Sequence, residues 1–91
     1  MKPMTDITEN IPIDMLELLT VDWNGERRLN ELGLADLRVQ NAEKKPSYET
    51  WEFAEKALRR SRQYNDTEKK VDCYRKLCQR LGVVRDGLDQ P

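Results

Sequence analysis

The chain has 91 residues and a mean hydropathy of −0.89, with 37% hydrophobic and 36% charged residues, which bounds it to one small polar domain. It contains no histidine, so Ser-His-Asp and Cys-His catalysis and histidine-based zinc sites are excluded. Its glycines, Gly25, Gly33, Gly82 and Gly87, are too scattered for a P-loop or a dinucleotide fingerprint.

Residues 1–10 are polar and unpatterned and read as a flexible tail, with no apolar segment of a secretory leader. Pro12 suits the first position of a helix, where its missing donor costs nothing. Ile13, Leu16 and Leu19 follow at helical spacing, which predicts about two turns. Asn24-Gly25 is a turn signal. Leu19, Val21 and Trp23 alternate, so a β-hairpin across that turn is an alternative. Glu26-Arg27-Arg28 offers no matching alternation, and a second short helix over about Glu26–Leu32 is preferred. Gly33 then fits the position just past its end, with Leu34 as the apolar contact. Residues 34–39 fit either a helical turn or an extended piece. Residues 40–46 are polar and end at Pro46, which disfavours helix before it, and read as a linker.

The second half is more strongly patterned. Ser47 is placed as an N-cap, with Glu49 and Glu52 near the positive helix end. Trp51, Phe53, Ala54, Ala57, Leu58 and Ser61 share one arc of a helical wheel, with Tyr64 joining it. Glu52, Lys56, Arg59 and Gln63 share the opposite one, which predicts an amphipathic helix of about four turns. Asn65 and Glu68 have capping-box spacing. A further helix gathers Val71, Cys73, Tyr74, Leu77, Cys78 and Leu81 on one side and stops at Gly82. Residues 85–91 read as a tail. Two helices joined by so short a turn pack antiparallel. The expected fold is all-α: one helical domain over 11–84, built on a hairpin at 47–82 across which Ile13, Leu16, Leu19, Trp23, Leu29 and Leu32 lie.

Cys73 and Cys78 are the only cysteines. Five residues apart on one helix, they are separated by about 140° and 7.5 Å, so no local disulfide can form between them. They read as small, half-buried apolar residues in a reducing compartment. No run approaches the ~18–20 apolar residues that cross a bilayer. The expectation is a cytoplasmic protein with no membrane contact.

Charge is uneven along the chain. Residues 1–42 hold four basic side chains against eight acidic ones, and residues 43–85 hold twelve against seven. Basic charge therefore gathers on the last two helices. Arg59, Arg60, Lys76 and Arg80 are the candidate charged contacts of a binding surface. Trp23 and Tyr48, at the borders of their apolar arcs, are its candidate anchors, because Trp, Tyr and Arg dominate binding hot spots. A solvated helix face accounts for the same charges without function. Glu52, Glu55, Asp66, Glu68 and Asp72 interrupt the basic run, and a pI near 5.5 lies below that of a dedicated nucleic-acid domain. These features favour a protein partner over nucleic acid, which stands as the alternative user of the same basic face. No catalytic residue, cofactor or metal site is assigned. Homodimerisation would be one way for so small a core to gain burial.

Overall fold

The computed structural model describes residues 11–90; the tail expected at 1–10 lies outside them. A 3-10 turn at Ile13–Met15 runs into α1, the single helical turn Leu16–Leu19. Leu19 is buried, but Ile13 is 85% exposed and takes no part in the core.

The segment after α1 is a β-hairpin, not a helix. Strand β1 (Thr20–Trp23) pairs antiparallel with β2 (Glu26–Leu29), Thr20 opposite Leu29 and Trp23 opposite Glu26. Asn24 and Gly25 both have positive φ, 52° and 80°, as a two-residue hairpin turn of the primed kind requires. The alternation missing from Glu26-Arg27-Arg28 is not needed, because every residue from Val21 to Arg28 is exposed. Only the base of the hairpin is buried. There Thr20 Oγ1 donates to the Leu16 carbonyl and accepts from Arg27 Nη1 at 3.0 Å. A protruding hairpin has no core face to read in its sequence, so the turn chemistry decides.

Asn30 then joins the hairpin to α2 (Glu31–Lys44). Its backbone N–H donates to the Leu19 carbonyl at 2.9 Å and its side-chain amide donates to the Leu18 carbonyl at 2.8 Å. Its side-chain oxygen accepts from Gly33 N at 2.8 Å, capping α2. Gly33 therefore lies in the first turn of a helix, not past the end of one. A Cβ at Gly33 would stand 2.0 Å from the Leu19 carbonyl oxygen, so only glycine admits this approach.

Helix α2 replaces the linker expected at 40–46. Leu32, Ala35, Val39 and Ala42 are buried along it at alternating three- and four-residue spacing. The two alanines let neighbouring helices come close, and they give a weak apolar signal in sequence. Lys44 ends the helix just before Pro46, whose ring disfavours helix in the residue preceding it.

Helix α3 (Tyr48–Arg62) starts at Ser47 as expected, with Ser47 and Thr50 exchanging a reciprocal capping box. Ala54, Leu58 and Ser61 are buried along it, while Phe53 lies at its border, 48% exposed beneath the Arg38 guanidinium. The next cap is Thr67, which accepts from Lys70 N at 3.2 Å, not Asn65. Helix α4 (Glu68–Asp89) runs straight through Gly82 and takes in most of the expected tail. The apolar stripe of Cys73, Leu77 and Leu81 continues through half-buried Val84, and that packing carries the helix past the glycine. Tyr48, at the start of α3, touches Leu88 and Asp89, at the end of α4, so these two helices run antiparallel.

The molecule is mostly helical, with one small sheet beside the bundle. The core comprises Leu19 from α1, the α2 stripe, Ala54 and Leu58 from α3, and Cys73, Leu77 and Leu81 from α4. Helix α2 supplies its largest share and contacts α1, the hairpin and both later helices. The all-α expectation holds in the main, with the β-hairpin as the exception among the described residues, and α2, not expected as a long helix, takes a central place in the core.

Gly33→Ala is expected to cost about 2 kcal/mol or more, because the colliding atom is backbone and cannot rotate away. Gly82→Ala, whose Cβ meets nothing within 4 Å, is expected to be neutral or to stabilise by up to about 1 kcal/mol. Urea unfolding of the two variants beside the parent chain checks both.

Candidate binding surface

The six residues singled out from sequence do not form one patch. Arg80 reaches toward α2. Its guanidinium donates to both carboxylate oxygens of Glu43, at 2.6 and 2.9 Å, and lies 3.6 Å from Asp36. Arg59 instead lines the groove between α3 and α4, where it pairs with Glu55 at 3.0 Å. The two arginines thus flank α4 on different sides. Lys76, one turn before Arg80, pairs with Asp72 at 3.3 Å across the exposed helix surface. Arg60 is exposed and has no ion-pair partner among the described residues. Trp23 is 57% exposed beside the hairpin turn. Tyr48 keeps an exposed ring while its hydroxyl donates to Asp89 Oδ1 at 2.7 Å and approaches the Leu88 carbonyl at 3.1 Å.

The Arg80 cluster is a helix clamp. It ties the second half of α2 to the middle of α4 by a bidentate guanidinium–carboxylate pair, the strongest surface geometry available. The Arg80 hydrogen bond holds the Glu43 carboxyl below its ordinary value. Partial burial pushes the Asp36 carboxyl up, and nearby Arg80 and the Gln40 amide offset this only in part. The two acids therefore couple stability to pH with opposite signs. Glu43 stabilises at neutral pH and loses that contribution as pH falls through its lowered value. Asp36 is favoured when protonated, and its penalty grows as pH rises through its raised value.

A second arrangement escaped the sequence reading altogether. The Arg85 guanidinium, on α4, lies 4.5 Å from the Trp51 ring centroid and 5.4 Å from that of Tyr48, both on α3. Arg85 also pairs with Asp89 at 3.1 Å. The Tyr48 hydrogen bond, then Arg85, holds the Asp89 carboxyl below its ordinary value, and the same bond raises the Tyr48 phenol. No spacing in the sequence links positions 48, 51 and 85, because the helices that carry them meet only in the fold. Arg62 was within reach of sequence reasoning, since Glu55, Arg59 and Arg62 follow one another at helical spacing. Trp51, Tyr74, Arg62 and Arg85 together line a groove of about 430 Å³ between α3 and α4.

The cysteines are both free and differ in setting. Cys73 is buried in the core, where desolvation and then the Asp36 charge push its thiol up. Cys78 is exposed on the groove wall, where an apolar half-buried residue was expected. No helix among the described residues is long and apolar enough to cross a membrane.

Fold and surface define a small, mostly helical domain with an arginine-lined, aromatic-floored interhelical groove. No family model, curated protein or solved structure matches the chain.

Glu43→Gln is expected to lower stability at pH 7 by about 0.5–1 kcal/mol, the range of a well-formed surface pair. The deficit should vanish in acid, where the parent Glu43 is itself protonated. Denaturant midpoints at the two pH values check the sign.

Proposed function

We propose that the protein is a non-catalytic binding module, a small adaptor, inhibitor or regulatory subunit, that recognises a protein partner through the basic, aromatic-edged surface of α3 and α4. The observation that carries this reading is the run Arg59, Arg60 and Arg62 in the last turn of α3. Three guanidiniums there favour the negative helix end and present planar donors outward. Arg60 is unpaired among the described residues, and the pair held by Arg59 is an exposed one that exchanges at little cost. Exposed Tyr48, at the start of α3, is an apolar anchor of the kind such a surface uses, and exposed Trp23 offers a second, separate contact on the hairpin. Lys76, on the Arg80 side of α4, is a charge apart from this face. Arg80 supports it from behind by holding α4 against α2.

Protein is favoured over nucleic acid because Glu55 and Asp86 lie among the arginines, where a phosphate backbone would meet repulsion. A cytoplasmic location suits two reduced cysteines.

Affinity capture from the native host is expected to retain a protein that is lost when Trp23→Ala and Arg60→Ala are combined. In parallel, labelled duplex DNA or RNA is titrated at two salt concentrations. Tight binding that falls steeply with salt, and disappears in Arg59→Ala with Arg60→Ala, would replace the protein-partner reading with the nucleic-acid one.

A further inference from the structure

We propose that the groove between α3 and α4 docks an acidic segment of the protein partner, one that carries large aliphatic side chains between its carboxylates; this rests on the protein-binding reading above. Three features of the groove specify that occupant.

The first is charge. Arg59, Arg62 and Arg85 line the groove against Glu55 and Asp86, which leaves positive charge in excess. Arg62 has no ion-pair partner among the described residues. The partners of Arg59 and Arg85 are one helical turn away on exposed surface, so an incoming carboxylate can take either arginine over. Arginine's planar fork favours a carboxylate, which it binds through two parallel bonds.

The second is shape. Trp51, Leu58, Tyr74 and Leu81 give the groove an apolar floor suited to aliphatic side chains. On the α4 wall, Gly82 follows Cys78 by one turn. Glycine inside a helix is less favourable than alanine. Nothing nearby requires it, since a Cβ there would meet no atom within 4 Å. Its effect is to keep the wall low where a longer side chain would fill the groove.

The third is an unused donor. Trp51 Nε1 is buried and lacks an acceptor among the described residues, and Arg85 covers the indole ring. A buried donor left so is destabilising until it finds an acceptor. An acceptor on the docked segment would satisfy this donor, which the described residues leave unpaired.

The test uses the full chain and reads the alkylation rate of Cys78, with buried Cys73 as internal reference. The probe is an acetylated peptide of about 14 residues, Glu and Leu arranged on opposite helix faces, about 21 Å long as a helix. At ten times its Kd the peptide is expected to slow Cys78 modification about tenfold. Protection should be lost in Arg59→Gln with Arg62→Gln, and in Gly82→Gln, a helix-favouring change that leaves unfolding no part in the loss. Gly82→Ala should retain it. The proposal is overturned if the Glu/Leu peptide gives no protection. Equal protection by a matched Lys/Leu peptide or by an oligonucleotide of similar length also overturns it, as does protection that rises with protein concentration alone, which would mean that a second copy covers the groove. If the host partner is captured equally well by Gly82→Gln, the groove falls while the protein-binding reading stands. If the parent chain captures nucleic acid instead, the broader reading falls first.

Discussion

The first turn of α2 lies directly against the Leu19 carbonyl, and the rest of the architecture hangs from this approach. Gly33 offers no side chain there, so α2 can lie directly against the end of α1. Asn30 makes the approach possible from both sides. It satisfies the Leu18 and Leu19 carbonyls at the end of one helix and the Gly33 N–H at the start of the next. Orphan backbone groups that would otherwise face into the protein are thus paired with each other. The β-hairpin grows out of this joint without a core of its own. A two-stranded sheet is marginal in water, and this one is held by its base at Thr20 and Leu29.

With α2 seated, the bundle follows from its small residues. Ala35 and Ala42 leave room for α3 and α4 to close against α2, and Val39 is fully buried between them. The Arg80 clamp then ties α4 to α2, and the Tyr48–Asp89 hydrogen bond ties its far end to α3. Helix α4 is held on both sides by polar contacts at its rim and by Leu77 and Leu81 between them. Two glycines lie in its C-terminal half, where local helix propensity is weakest, so the tertiary contacts at Arg85, Leu88 and Asp89 carry that half.

This arrangement divides the basic residues by role. Arg80 is spent on architecture, and its neighbours Asp36 and Glu43 give the clamp its pH response. The arginines on the α3 side keep loosely held partners or none. Exposed i,i+4 pairs contribute little to stability, which leaves those guanidiniums free to change partners at low cost.

Much of the helical content was legible in sequence, because strong local signals agreed with the final packing. Ser47 after Pro46, the arc of Ala54, Leu58 and Ser61, and the stripe of Cys73, Leu77 and Leu81 all read alike in one dimension and in three. The hairpin was half legible: Asn24-Gly25 announced the turn, but exposed strands carry no alternation to confirm it. Helix α2 was hidden because alanines bury themselves without looking hydrophobic, and its polar second half looks like a linker. Gly33 and Gly82 both read as helix stops. Their true roles depend on what lies beside them: a carbonyl against one, open space against the other. The candidate site shows the same limit. Residue type and charge balance marked Arg59 and Arg60 as candidates, but which arginines are clamped and which line a groove depends on how α2, α3 and α4 meet. Composition and local periodicity determined that the chain is small, helical and basic toward its end. Only tertiary packing decided where the helices stop, which charges are already satisfied and where a groove remains, because those are properties of neighbours distant along the chain.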